Sequence, residues 1–216
     1  VIVNPNDETG WDQTQLNDRI FKANGYEVVG QDLFERSQKD FQPMLTKIMA
    51  MKPDIIELGG TSPATAGLII RQARELGYDK LFAKTGGAGP KEIVAGAGVK
   101  AAEGTINMLY ADPANEGYRR LAAAYKKARG QDANEIIVSF YDGANVLLNA
   151  IQKAGTVDDT AKVAAAFSRA LPMKSVQGDE MTLDGMKTYG SNSQINSVNY
   201  IGAIRNGEPV VIGKTK

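Results

Sequence analysis

The feature that most constrains this chain is an alternation of short apolar runs with helical segments bounded by glycine and proline, repeated from Val1 to Tyr110. Val1–Val3 reads as a strand, and the polar turn Asn4 to Gly10 leads into a helix carrying Leu16, Ile20 and Ala23 that Gly25 closes. Glu27–Phe34 is the next expected strand. Asp40 then caps a helix whose Phe41, Met44, Leu45, Ile48 and Met49 fall on one helical face, with the methionines as packing residues. Asp54–Leu58 follows as a strand, and Gly59-Gly60-Thr61-Ser62 turns into a helix that has Pro63 at its first position and Gly77 after Leu76. Lys80–Lys84 is another strand, the loop Gly86 to Gly89 opens a short helix at Pro90, and Gly104–Tyr110 is one more strand.

Continuous apolar strands alternating with helices imply a parallel sheet covered on both faces, a doubly wound α/β architecture. In such a sheet the ligand crevice lies beyond the carboxyl ends of the strands. The turns at residues 4–10, 59–62 and 85–89 are therefore expected to share one rim.

From Asn115 the pattern changes to three successive helices. Tyr118, Leu121, Ala122 and Tyr125 face inward on the first, which Gly130 ends; the second runs from about Ile136 to Ala154 and stops at Gly155. The third follows the capping-box spacing of Thr156 and Asp159 and carries Val163, Phe167 and Leu171. These helices have no sheet of their own in this reading. After Pro172 the chain becomes β-rich, with Glu180–Leu183, Gln194–Ile204 and Pro209–Ile212, and Asn206-Gly207 predicts a hairpin between the last two.

Composition narrows the chemistry. The 216 residues suit one full domain plus part of another, and 43% hydrophobic with 23% charged residues is ordinary globular composition. Twenty-five basic residues balance twenty-five acidic ones without a basic run, which argues against nucleic-acid binding. The chain has no cysteine and no histidine, so disulfides, thiolate chemistry, histidine metal sites and histidine bases are excluded. No signal peptide or long apolar segment is visible, but Val1–Val3 already reads as a buried strand, so a targeting segment lost upstream stays open.

Ser62 sits at a strand-to-helix turn like a hydrolase nucleophile, but with no histidine to activate it the expected role is N-cap. Gly213-Lys214-Thr215 lacks the upstream glycine and following helix of a phosphate-binding loop. The Gly86-Gly87-Ala88-Gly89 loop and the Gly60–Ser62 turn either present backbone N–H groups to an anion such as a carboxylate or simply make tight turns. Trp11 and Tyr141 either sandwich a ligand or pack.

The ordered set Thr9-Gly10, Asp40-Phe41, Lys52-Pro53-Asp54, Leu58-Gly59-Gly60, Arg71 to Gly77, Ala101 to Gly104 and Tyr141-Asp142-Gly143-Ala144 resembles the solute-binding proteins of branched-chain amino acid ABC transporters, along nearly the whole chain. The resemblance implies a type I periplasmic binding fold: two Rossmann-like lobes joined by three crossovers, closing on a small ligand in the periplasm, or outside the cell on a membrane anchor, and delivering it to a membrane permease. It assigns residues 1–108 to the second lobe, 109–173 to helices of an incomplete first lobe, and 174–216 to a β-rich return ending in the hairpin. The first lobe's own sheet, which precedes Val1 in the family, is expected to be missing, and the helix face it leaves bare is expected to drive self-association. The resemblance also places ligand contacts at Thr9, Thr61, Gly86 and Tyr141, to which the residues themselves add Trp11, Gly60 and Lys84.

Two of these positions depart from the amino-acid binders. Thr9 stands where the family often has a stacking tyrosine, and Gly86 where its acidic partner for the ligand ammonium falls. The expected ligand is therefore a small carboxylate, either an amino acid or, in better accord with these two positions, an acid without an α-amino group such as an aromatic acid, with Lys84 as candidate counter-charge. No enzyme activity, cofactor or metal is expected; the alternatives are a ligand-sensing receptor domain or a small α/β enzyme.

Overall fold

The computed structural model describes residues 1–87 and 89–215. In chain order its elements are β1 (Ile2–Pro5), α1 (Glu8–Ala23), β2 (Gln31–Phe34), α2 (Gln42–Ala50), β3 (Ile55–Glu57), α3 (Pro63–Glu75), β4 (Leu81–Lys84), α4 (Pro90–Ala97), α5 (Val99–Ala102) and β5 (Ile106–Leu109). These are followed by α6 (Glu116–Arg129), α7 (Ile137–Ala154), α8 (Thr160–Ala170), β6 (Met173–Lys174), β7 (Glu180–Asp184), α9 (Met186–Tyr189), β8 (Gln194–Asn196), β9 (Tyr200–Arg205) and β10 (Glu208–Lys214). The chain forms two compact units: Val1–Met108 with Ile201–Gly213, and Leu109–Tyr200 with Lys214–Lys216.

The first unit is built on a seven-stranded sheet in the order β10-β9-β5-β4-β3-β1-β2. The pairs β1–β2, β1–β3, β3–β4 and β4–β5 are parallel, as expected of apolar strands separated by helices. Phe41, the N-cap of α2, and Leu45 and Ile48 within it join Ile69, Ile70 and Phe82 in the core, each such side chain contributing about 1.5–3 kcal/mol. Phe34 meets Phe41 edge to face at 5.2 Å between ring centres. Helices α3 and α4 touch at backbone distance through Gly67, where a Cβ would lie 2.5 Å from the Ile93 carbonyl oxygen. The β9–β10 hairpin turns on Asn206 and Gly207, both at positive φ (52° and 82°), the primed turn that Asn-Gly favours.

Local expectations are corrected at several points. The strand expected over Glu27–Phe34 pairs only from Gln31, and the run Gln194–Ile204 is broken at residues 197–199. Helix α1 starts at Glu8, directly after β1, so the expected turn at residues 4–10 is mostly strand and helix. Its buried side consists of Gly10, Thr14 and Asn17, whereas Leu16 and Ile20 are exposed. The reason is a polar surface beneath it, formed by Asn4 and Glu57.

In the second unit, Ala150, Val163, Ala166 and Ala170 pack α7 against α8, and Val146, Leu171 and Met181 form a neighbouring cluster. The helices do have a sheet, contrary to expectation: β6, β7 and β8 pair antiparallel, and Met173, Leu183 and Ile195 pack on the second cluster. Residues 174–200 thus lie within this unit, and the return to the first unit is the shorter stretch Ile201–Gly213. Helix α8 is capped by Asp159, whose carboxylate accepts the Lys162 N–H at 3.0 Å, while Thr156 Oγ1 caps the turn before it. Tyr118, Leu121, Ala122 and Tyr125 of α6 are only half-buried.

Candidate functional site

The carboxyl ends of β1, β3 and β4 come together around Asn4 and Gly59. Asn4, fully buried at the end of β1, accepts the Gly60 N–H at 2.7 Å and donates to Thr14 Oγ1 at 2.9 Å, so one side chain joins the turn after β3 to helix α1. Thr61 is buried in that turn, and its hydroxyl reaches the Val3 carbonyl at 3.4 Å. Gly86, in the turn after β4, sits against Gly59: a Cβ there would stand 2.6 Å from the Gly59 carbonyl oxygen. The structure thus brings Gly60, Thr61 and Gly86 together. Gly87 and Gly89 adopt positive φ, and Ala88 of the same loop lies outside the described residues.

Thr9 and Trp11 occupy the first turn of α1 rather than a loop. Asp7 caps this helix by accepting the Gly10 N–H at 3.0 Å, and Gly10 allows the helix to leave β1 directly, since a Cβ would come within 1.8 Å of the Pro5 carbonyl oxygen. Thr9 is exposed; Trp11 is 50% exposed, with its indole N–H donating to Asn6 Oδ1 at 3.0 Å. Trp11 is therefore not a core residue. The Arg36 guanidinium, and after it the Gly10 N–H, hold the Asp7 carboxyl below its usual value of 3.8.

Two buried charges flank the turns. Glu57 accepts from Asn17 Nδ2 at 2.6 Å, from the Thr85 hydroxyl at 2.6 Å and from the Thr85 N–H at 3.1 Å. Lys84, only 2% exposed, donates to the Gly86 carbonyl oxygen, so its ammonium lies under the glycine turn rather than open at the rim. In the β3–β4 register Glu57 is opposite Ala83, which places Glu57 and Lys84 on opposite faces of the sheet. Lys84 stands opposite Asn107 of β5. Among the described residues, Asn107 Oδ1 and Thr105 Oγ1 are buried without a hydrogen-bond partner. The Asn4, Asn17, Glu57 and Thr85 network was missed from sequence, although a glutamate ending the apolar strand Ile55–Glu57 is a detectable anomaly.

Tyr141 belongs to the second unit, half-exposed on α7, with its carbonyl accepting from Asn145 Nδ2 at 2.8 Å. The next residue, Asp142, is buried and lines a 350 Å³ cavity with Ser139, Ser175, Gln177 and Asn196. The first unit has a 460 Å³ cavity over one sheet face, among Phe21, Tyr26, Ile55, Leu81, Ala83 and Ile106.

The hydroxyl of Ser62 caps α3, accepting from the Thr65 N–H at 3.3 Å and donating to Thr65 Oγ1 at 2.9 Å, the N-cap role expected of it. Among the described residues no group of three or more histidine, cysteine or acidic side chains is placed to hold a metal, and no helix is long and apolar enough to cross a membrane. Chemically, the rim offers glycine backbone, hydroxyls and buried charge, a set suited to holding a small polar ligand.

Comparison with known proteins gives a concordant picture. The family described as periplasmic binding protein matches residues 1–207. The Leu/Ile/Val-binding protein homolog 2 of Brucella abortus is 34% identical over 175 residues, 80% of this chain and 44% of that protein. A leucine-, isoleucine-, valine-, threonine- and alanine-binding protein of Pseudomonas aeruginosa is 36% identical over 134 residues, 60% of this chain and 34% of that protein. Among solved structures, a leucine-binding protein from Thermotoga maritima superposes with a TM-score of 0.83 at 22% identity, over 100% of this chain and 59% of that one. A solute-binding protein of Rhodopseudomonas palustris in complex with benzoate has a TM-score of 0.76 at 20% identity, over 99% of this chain and 57% of that one. This chain spans about half the length of the curated relatives it matches.

Proposed function

The chain belongs to the periplasmic binding protein family, and on that premise we propose that it forms part of the substrate-binding component of an ABC importer. In this reading the first unit is one lobe of a two-lobed receptor, which captures a small carboxylate in the periplasm and hands it to a membrane permease. The observation that carries the proposal is the convergence of Gly60, Thr61 and Gly86 at the carboxyl ends of adjacent parallel strands, where open α/β sheets hold their ligands. Thr9 and Trp11 extend the rim from α1, and Tyr141 of the second unit is added by the family resemblance alone. No catalytic residue is assigned.

The ligand class follows from Gly86. The resemblance puts the acidic partner of an amino-acid ammonium at this position, yet the turn leaves no space for a side chain against the Gly59 carbonyl. A buried ammonium without a partner costs several kcal/mol, so a carboxylate lacking the α-amino group fits better. Lys84 acts from beneath, since a buried cation under the Gly86 turn favours an anion above it. The benzoate-bound Rhodopseudomonas protein supports this chemistry on the same fold. Thermal-shift titration of the full-length protein with leucine, valine and benzoate tests the reading: stabilisation by benzoate is expected, and stabilisation by leucine or valine alone overturns it.

A further inference from the structure

The chain passes between its two units three times, at Met108–Leu109, Tyr200–Ile201 and Gly213–Lys214. On the side of the second unit all three passages are tied down. Gln177 holds the first: its Oε1 accepts the Asp112 N–H at 2.9 Å and its Nε2 donates to the Tyr110 carbonyl at 3.0 Å. Asp179 holds the second, accepting the Tyr200 hydroxyl at 3.0 Å. The third is laced to the second, because Thr215 N–H donates to the Asn199 carbonyl at 2.8 Å and Thr215 Oγ1 accepts the Asn199 N–H at 3.0 Å.

Gln177 and Asp179 belong to one tight turn, closed by Ser175 N–H to the Asp179 carbonyl at 2.8 Å and by Gly178 N–H to the Ser175 carbonyl at 2.9 Å. The buried carboxylate of Asp142 fixes that turn to α7, accepting the Ser175 hydroxyl at 2.6 Å and the Val176 N–H at 2.9 Å. Asn115 Nδ2 donates to the Gln177 carbonyl at 2.9 Å, and Gly117 of α6 lies so close that a Cβ would come within 1.9 Å of the Val176 carbonyl oxygen. Three passages, one turn and two helices therefore share a continuous hydrogen-bonded block.

We propose that the Ser175–Asp179 turn is the anchor of the hinge, with Gln177 as its positioning residue. Bending is confined to the backbone at 108–109, 200–201 and 213–214, because the residues just inside the second unit cannot swing without breaking paired polar groups. The functional consequence rests on the ligand-capture reading above. A firm anchor limits the open states that must be given up on closing; loosening it lowers the closed fraction and weakens binding by the same factor.

The chain has no cysteine, so labels can be placed at will. In the 216-residue chain carrying exposed Arg71→Cys and Lys153→Cys, pulsed electron spin resonance reads the distance distribution between the units. Gln177→Ala is expected to broaden it, Tyr200→Phe to broaden it less, and exposed Gln152→Ala to leave it unchanged. A distribution as narrow in Gln177→Ala as in the parent overturns the proposal, since a purely local role for the turn would not change it. Should Gln177→Ala unfold the second unit, Tyr200→Phe decides in the same way. In the full-length protein, Gln177→Ala is expected to weaken benzoate or leucine binding roughly five- to tenfold, the worth of one or two net hydrogen bonds, and unchanged affinity counts against the anchor. If the parent binds neither probe, the ligand-capture reading fails while the distance measurement still tests the anchor.

Discussion

Replacing Glu57 by leucine tests whether the buried network at the rim is held by its carboxylate. The side chain is 1% exposed and accepts three hydrogen bonds, from Asn17 Nδ2, the Thr85 hydroxyl and the Thr85 N–H. The hydroxyl can rotate toward another acceptor and Asn17 Nδ2 keeps Thr85 Oγ1 at 3.4 Å, but the Thr85 N–H has no substitute, and Asn17 cannot flip because its Oδ1 is already occupied by Gln13 Nε2 at 2.8 Å. Leaving the buried Thr85 N–H unpaired costs about 1–3 kcal/mol and leaving Asn17 with only its long bond to Thr85 costs about 1 kcal/mol more, so Glu57→Leu is expected to destabilise by about 2–4 kcal/mol. In a chain of this size that is a fall in Tm on the order of 10 °C. Glu57→Gln should cost less, about 1–2 kcal/mol, since its oxygen can keep Thr85 while the Asn17 and Gln13 amides flip in sequence. Urea unfolding of parent, Gln and Leu variants measures the order. A Leu variant as stable as the parent would refute the reasoning and show that packing alone compensates for the network, as happens at some buried ion pairs.

Gly10→Ala places a methyl group 1.8 Å from the Pro5 carbonyl oxygen and is expected to lose about 2 kcal/mol or more, whereas Gly143→Ala, in a helix interior with open space at its Cβ, should gain up to about 1 kcal/mol; thermal melts of the pair test this. Asp7 is held below 3.8 chiefly by Arg36, so its contribution is present above that value and lost as pH falls through the lower folded value; Asp7→Asn should flatten the acid limb of a stability–pH curve. Burial pushes the phenols of Tyr78 and Tyr200 up to about 12, so the stability tied to their protonated forms is intact below pH 10.0 and lost as pH rises toward 12, which ultraviolet phenolate titration can follow. The apolar stripe of α7, with Phe140 72% and Leu148 62% exposed, is expected to drive concentration-dependent self-association of the 216-residue chain, relieved by Phe140→Asp; a monomeric parent in sedimentation velocity at high concentration contradicts this.

Features set by a few neighbouring residues were legible without the structure. Ser62 caps α3, Gly77, Gly130 and Gly155 follow helix ends at positive φ, and Asn206-Gly207 turns the hairpin, because each depends on local backbone energetics. The parallel sheet was equally readable from its apolar strands. The face of α1 was not: Leu16 and Ile20 look like a core stripe, but the side facing β1 is the one carrying Gly10, Thr14 and Asn17. Whether an apolar position is buried depends on what the neighbouring element presents, and here that element presents Asn4 and Glu57. The same limit applied to the helices after Asn115, whose partner strands β6–β8 are short and weakly patterned.

For the candidate site, the sequence determined the residue types and their order at the strand ends, since the glycine-rich turns after β3 and β4 are local properties. Only the tertiary structure decided what those residues face. Lys84 lies beneath the Gly86 turn, Trp11 is tied to Asn6, and Gln177 reaches back to Tyr110 across 67 residues of chain. Such pairings join groups far apart in sequence, and no local preference specifies them; they form when sheet and helices close around them and each buried donor must find an acceptor.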